Sequence, residues 1–222
     1  MSEATTVAPT TTVHLLRHGE VHNPTGVLYG RLPGFVLSTT GEKMAELAAD
    51  ALAGRDIVAV VSSPLERAQQ TAAPVAERHG LAVTIDDRLI EASNKLEGSR
   101  VGIGPGVLTN PRYWRYLTNP FRPSWGEAYN GLAARMLAAA TSARDLARAD
   151  GGTHEAVCVS HQLPIWILRR FVEGRHLWHR PDVRQCALAS LTSLTWHGDR
   201  IVSVTYSEPA GALSQAPSTP GA

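Results

Sequence analysis

Lysine is nearly missing from this 222-residue chain, with only Lys43 and Lys95 among 21 Lys and Arg, set against 20 Asp and Glu. A net charge of +1 and no Lys-rich stripe predict neither a nucleic-acid-binding protein nor a membrane-surface protein, so an anionic partner must be met by a local cluster. Cysteine is as scarce. Cys158 and Cys186 show no C-x-x-C spacing, which argues against a disulfide framework or thiolate metal site and predicts reduced, buried or inert thiols. No stretch approaches the roughly 20 apolar residues of a membrane span. Residues 1–12 are polar and Thr-rich, without the apolar core of a signal peptide, and the expectation is a cytoplasmic protein.

What is present is an alternation of short apolar runs with helical patterns. It predicts an α/β fold, a three-layer α/β/α sandwich with a mostly parallel central sheet and helices on both faces. The length fits one sizeable domain. Strands are expected at 13–16, 57–61, 81–85 and 156–159, with a terminal antiparallel hairpin of 188–196 and 201–206. Helices are expected at 39–53, ended by Gly54, and from Ser63 to about residue 78, with Ser63 as N-cap, Pro64 at the first helical position and Glu66 completing a capping box. Further helices are expected within 125–148 and over about 163–172. The domain then covers 13–207, between disordered ends at 1–12 and 208–222.

Leu16-Arg17-His18-Gly19-Glu20 follows the first strand. A His between Arg and Gly, where a buried strand gives way to a loop, is placed to attack phosphorus. The Arg holds phosphoryl oxygens and the Gly lets backbone approach closely. Ligands of open α/β sheets sit beyond the carboxyl ends of the strands. His18, Ser63 and His161 each follow a predicted strand, so three strand ends line one pocket. Arg67, one turn into the helix after Ser63, is a second candidate anion ligand beside a helix N-terminus; the position equally fits an exposed Arg paired with Glu66. His161, after Val157-Cys158-Val159-Ser160, fits either the pocket or a structural role. Glu91, in Leu89-Ile90-Glu91, fits the proton donor that a poor leaving oxygen requires, or a solvated loop carboxylate. His176 and His179 stand three apart with no acidic or Cys partner, and neither a metal nor another cofactor is expected.

Together these segments resemble the histidine phosphatase superfamily, the phosphoglycerate mutase-like clan, in its cytoplasmic branch. The resemblance runs from Val13 to Tyr206. Leu16-Arg17-His18-Gly19-Glu20 is similar to the family signature, Leu37-Ser38-Thr39-Thr40-Gly41 to the pattern opening the first helix, and Ser62-Ser63-Pro64-Leu65-Glu66-Arg67-Ala68-Gln69-Gln70-Thr71-Ala72 to the segment whose Arg binds phosphate. Glu91 with Glu97-Gly98 resembles the acid-bearing loop, Gly126-Glu127 with Arg135 the start of a later helix, and Ser160-His161 the second histidine. The resemblance implies that His18 is the nucleophile, its tautomer fixed by the Gly19 carbonyl. It implies that Arg17, Arg67 and His161 stabilise the phosphoryl group and that Glu91 is the acid. Asn23 and Gln162 become candidate substrate contacts.

The chain departs from the family in places. Asn23 lies five residues after His18 rather than six, the spacing between Glu91 and Glu97-Gly98 is one residue short, and Gln162 stands where Gly is frequent. The Asn-Glu-Arg-His-Tyr-Gly type of sequence of cofactor-dependent mutases is absent. The expectation is therefore a metal-independent phosphomonoesterase acting through a phosphohistidine on a small phosphorylated metabolite. A bisphosphoglycerate-dependent phosphoglycerate mutase and a non-catalytic phospho-ligand or protein-binding member of the fold are the alternatives. The stretch from about 98 to 129 carries Tyr113, Trp114, Tyr116, Phe121, Trp125 and Tyr129, with Arg112, Arg115 and Arg122, and fits either a lid that sets specificity or a structural mini-core. Oligomeric state is open, a homodimer included.

Overall fold

In a computed structural model, residues 10–94, 97–98 and 126–213 are described. Six strands form one sheet in the order β3-β2-β4-β1-β5-β6. They are β1 (Thr10–Arg17), β2 (Ile57–Ser62), β3 (Val83–Ile85), β4 (Glu155–Ser160), β5 (Leu191–His197) and β6 (Arg200–Ser207). The first four run parallel, and β5 and β6 close one side as an antiparallel hairpin. Among the described residues four α-helices cover the sheet: α1 (Thr39–Leu52), α2 (Glu66–His79), α3 (Tyr129–Leu146) and α4 (Gln162–Val172).

The period-2 geometry of β1 and β4 sorts their buried residues between two cores. Val13, Leu15, Ala156 and Cys158 face α3 and α4, where they pack with Leu132, Met136, Ile165 and Leu168. Leu16, Val157 and Val159 face α1 and α2, against Met44, Ala48, Leu52, Ala72 and Val75. Strands with no polar side read as continuous apolar runs, which is why the parallel sheet was legible. Both cysteines are free and buried, and burial pushes the Cys158 thiol up to about 12, so it carries no thiolate at neutral pH.

Three expectations are corrected. The chain is ordered before residue 13: Thr10–Thr12 pair with His197–Thr195 of β5, and Thr11 is buried. The end is ordered past residue 207, since Glu208–Leu213 turn back over the sheet and Ala210 is fully buried in the second core. Helix α2 starts at Glu66, not Ser63, and its N-cap Leu65 makes no side-chain capping bond. The Ser63 hydroxyl accepts from the Leu65 N–H (3.4 Å), just ahead of the helix, and from His161 Nε2 (2.8 Å). Of the aromatic stretch, Tyr113, Trp114, Tyr116, Phe121 and Trp125 lie outside the described residues.

Helix α1 is fixed to the loop after β1 by an unusually close approach. Ser38 caps it by accepting from the Gly41 N–H (3.0 Å) and donates to Glu20 Oε1 (2.6 Å). A Cβ on Gly41 would stand 2.0 Å from the Glu20 carbonyl oxygen, and one on Gly19 2.5 Å from the Gly41 carbonyl oxygen. Both glycines are there because backbone meets backbone. Gly41→Ala is expected to cost about 1–3 kcal/mol, lowering Tm by about 2–4 °C per kcal/mol in a thermal melt. An unchanged Tm would refute the close packing.

Candidate active site

The ends of β1, β2 and β4 meet through backbone hydrogen bonds. The His18 N–H donates to the Ser160 carbonyl (3.1 Å), the Ser63 N–H to the Val159 carbonyl (2.9 Å), and the Arg17 N–H to the Ser190 carbonyl (3.0 Å). His18 and His161 leave this frame side by side, ring centroids 5.1 Å apart, both buried. Arg17 and Arg67 are buried beside them, at 4% and 1% exposure, which for guanidinium groups requires a compensating anion or dense hydrogen bonding.

Hydrogen bonds hold each arginine from one side only. Arg17 Nη1 donates to the Cys186 carbonyl (2.7 Å) and Arg67 Nη2 to the Gly30 carbonyl (2.7 Å), while the guanidinium of Arg67 lies over the Tyr29 ring, 4.7 Å from its centroid. The Nε atoms of both are buried without a partner among the described residues, and neither arginine forms an ion pair there. Orphaned donors on two buried cations leave hydrogen-bonding capacity that an anion would satisfy.

The two histidines have opposite tautomers, assigned from their partners. His18 Nδ1 donates to the Gly19 carbonyl (2.8 Å), leaving Nε2 with a free lone pair. In His161, Nδ1 accepts from Arg67 Nη2 (3.3 Å), so Nε2 carries the proton and donates to Ser63 Oγ (2.8 Å). Burial first, then the charges of Arg67 and Arg17, push His18 well below the ordinary histidine range; burial, His18 and the arginines do the same to His161. Both rings are neutral at physiological pH, and His18 offers an unprotonated nitrogen beside two cations.

Glu91 has the complementary environment. It is partly buried, and burial raises its carboxyl above the ordinary range, opposed by the Ala92 N–H donated to Oε1 (2.7 Å) and by the charges of Arg67, Arg184 and Arg17. Its backbone carbonyl accepts from Arg31 Nε (2.7 Å) and Arg135 Nη2 (3.4 Å), and Glu127 ties those two arginines together. Glu127 and Arg135 thus position the Glu91 loop rather than enter the pocket.

The remaining candidates are less directly placed. Asn23 is buried, but its amide closes its own loop, donating to the Val27 carbonyl (2.9 Å) and accepting from the Val27 N–H (3.2 Å). Gln162, the first residue of α4, lies beside the Cys186 carbonyl and Arg184. Tyr29, Ser63 as partner of His161, and Arg184 were not anticipated from the sequence. Among the described residues no group of three His, Cys, Asp or Glu side chains is arranged to hold a metal ion, and no helix is long and apolar enough to cross a membrane.

A neutral nucleophile-ready imidazole inside a cationic pocket, at the carboxyl ends of parallel strands, defines a phosphatase- or mutase-like enzyme of the α/β class. The chain belongs to the histidine phosphatase superfamily (branch 1), which matches residues 13–209. An uncharacterized protein of Mycobacterium tuberculosis (strain ATCC 25618 / H37Rv) is 62% identical over 90% of this chain and 97% of its own length. A probable phosphoglycerate mutase of Yersinia enterocolitica is 30% identical over 80% of this chain and 82% of its own. Among solved structures, mycobacterial glucosyl-3-phosphoglycerate phosphatase is similar with a TM-score of 0.66 and 27% identity, covering 89% of this chain and 96% of that one. A phosphoglycerate mutase from Bacillus anthracis shares the fold at a TM-score of 0.72 and 18% identity, covering 94% and 97%.

Proposed function

We propose that the protein is a metal-independent phosphomonoesterase that passes the phosphoryl group of a small phosphorylated metabolite to His18 and then to water. The observation that carries this reading is the tautomer of His18: Nδ1 is committed to the Gly19 carbonyl, and Nε2 is free beside the orphaned Nε atoms of Arg17 and Arg67. Nε2 attacks phosphorus in line, the N–P bond forms as the ester P–O bond breaks, and Glu91 gives its proton to the leaving oxygen. Water then attacks the phosphohistidine, Glu91 takes back a proton, and the N–P bond breaks to release inorganic phosphate. Arg17 and Arg67 face the equatorial oxygens, supplying the charge stabilisation that dominates such transfers, while neutral His161, which accepts from Arg67 and donates to Ser63, holds Arg67 in place beside them.

The pH dependence follows from the two shifts. Protonation of His18 removes the nucleophile, and because its pKa is lowered the acid limb lies below 6.5. Ionisation of Glu91 removes the acid, and because its pKa is raised the basic limb lies above 4.5. The test is phosphate release in excess EDTA from p-nitrophenyl phosphate and from an alkyl phosphate, for the wild type and Glu91→Gln. The wild type should release phosphate from both. Glu91→Gln should lose about 10²–10⁴-fold on the alkyl ester and less on the aryl ester, whose leaving group needs no proton. Equal losses in kcat/KM, which reads the transfer to His18 and not the later hydrolysis that both substrates share, would remove Glu91 from the acid role.

A mutase reading draws support from the Yersinia relative and from a Thermoplasma acidophilum 2,3-bisphosphoglycerate-dependent phosphoglycerate mutase, 34% identical over 58% of this chain. Isomerisation of 3-phosphoglycerate that depends on 2,3-bisphosphoglycerate, without net phosphate release, would establish that reading in place of the phosphatase.

A further inference from the structure

Among the described residues, the mechanism above leaves one cation beside the pocket unused. Arg184 lies in the connection between α4 and β5, two residues before Cys186, whose carbonyl holds Arg17. The same short segment therefore carries one arginine and anchors another. Arg184 Nε donates to His179 Nε2 (2.9 Å) and Nη1 reaches Gln162 Oε1 (3.4 Å). His179 is locked in turn: its Nδ1 donates to the Leu177 carbonyl (2.8 Å), and its ring lies edge-on to Trp166 and tilted against Tyr129. With Nδ1 as donor and Nε2 as acceptor, His179 is a neutral support that aims the guanidinium without neutralising it.

No carboxylate among the described residues lies within ion-pair distance of Arg184, although Arg31, Arg78, Arg88, Arg135, Arg144 and Arg169 each have one. The stretch 99–125 contains no Asp or Glu. A partly buried guanidinium held by neutral groups thus has, among the described residues, no paired counter-ion of the kind that ordinarily accompanies burial. Gln162, which Arg184 reaches, follows His161 directly, and its amide also approaches the Cys186 carbonyl that holds Arg17, so Arg184 stands at the rim of the same pocket; with Arg17 and Arg67 on the reacting phosphate, an anion at Arg184 belongs to the rest of the substrate.

We propose that Arg184 is a specificity-determining residue that receives a second anionic group, a carboxylate or a second phosphate, carried by the leaving alcohol of the substrate. The preferred substrates are then phosphomonoesters with two anionic ends. This rests on the phosphatase reading, in which Arg17 and Arg67 take the reacting phosphate and Glu91 marks the leaving oxygen.

Two matched pairs separate the sources of the anion: 3-phosphoglycerate against glycerol 3-phosphate for a carboxylate, and fructose 1,6-bisphosphate against fructose 6-phosphate for a second phosphate. The wild type should prefer the doubly anionic member of at least one pair by about tenfold or more in kcat/KM. Arg184→Gln should remove most of that preference through KM, and Arg184→Lys should restore part of it. The within-pair ratio is the readout because any general effect of the substitution on Glu91 cancels. No preference in either pair, or an Arg184→Gln variant that slows both members equally, overturns the inference while His18-dependent turnover of p-nitrophenyl phosphate leaves the phosphatase reading standing. Absence of His18-dependent turnover on every substrate overturns both.

Discussion

His18→Ala is expected to lower phosphate release on the order of 10⁴-fold and to leave no trapped phosphoprotein. The size follows from covalency: without Nε2 there is no acceptor for the phosphoryl group, and the remaining arginines only polarise a substrate that water must attack unaided. The measurement is a rapid quench of enzyme and substrate, reading an acid-labile, base-stable phosphoprotein in the wild type and none in the variant. A thermal melt beside it separates chemistry from folding, because His18 is buried and its replacement leaves a small void. A variant that still forms a phosphoprotein would move the nucleophile elsewhere, and His161 is not free to take over. Its Nδ1 already accepts from Arg67 and its Nε2 donates to Ser63.

Arg67→Met is expected to lower kcat/KM by about 10³-fold, and Arg67→Lys to recover only part of the loss. One guanidinium here does several things at once: Nη2 holds the Gly30 carbonyl and His161, the plane stacks on Tyr29, and Nε is left for the anion. A lysine ammonium supplies the charge but not that fork. The same substitution has a second signature. After burial, Arg67 is the largest influence holding His18 below its ordinary range, so removing its charge lets the His18 pKa rise and moves the acid limb of kcat/KM to higher pH. Kinetics within threefold of wild type, with an unmoved acid limb, would show that Arg67 neither binds the phosphoryl group nor tunes the nucleophile.

The parts of this architecture that were legible in the sequence are those whose cause is local. Arg17-His18-Gly19 could be placed because a buried strand reads as an apolar run and its loop follows at once. Ser38 and Gly41 entered only through the resemblance of Leu37–Gly41 to the family's helix-opening pattern, whose physical reason is a cap three residues from the amide it satisfies. Ser63 shows where local logic fails. Its hydroxyl does accept from the Leu65 N–H, as a residue at a helix entry should, yet its shorter bond is to His161, 98 residues away, and the helix begins only at Glu66. Asn23 lay in the right neighbourhood, but its amide is spent on its own loop, and no periodicity reports which of two such uses a side chain will make. Arg184 gave no signal at all, since the segment from Pro181 to Cys186 follows neither a helical nor a strand pattern. Its proximity to Arg17 comes only from the Cys186 carbonyl that both parts of the chain share.

The backbone bonds that join the ends of β1, β2 and β4 have a consequence for how this pocket changes over evolutionary time. His18 and Ser63 hang from amides bonded to the carbonyls of Ser160 and Val159, so their relative positions depend on main chain rather than on neighbouring side chains. Side-chain replacements around the rim therefore leave that spacing intact. A lineage can exchange the residues that greet the rest of the substrate, one at a time, while the reacting centre stays in register, and can thereby acquire new substrates without reinventing the chemistry.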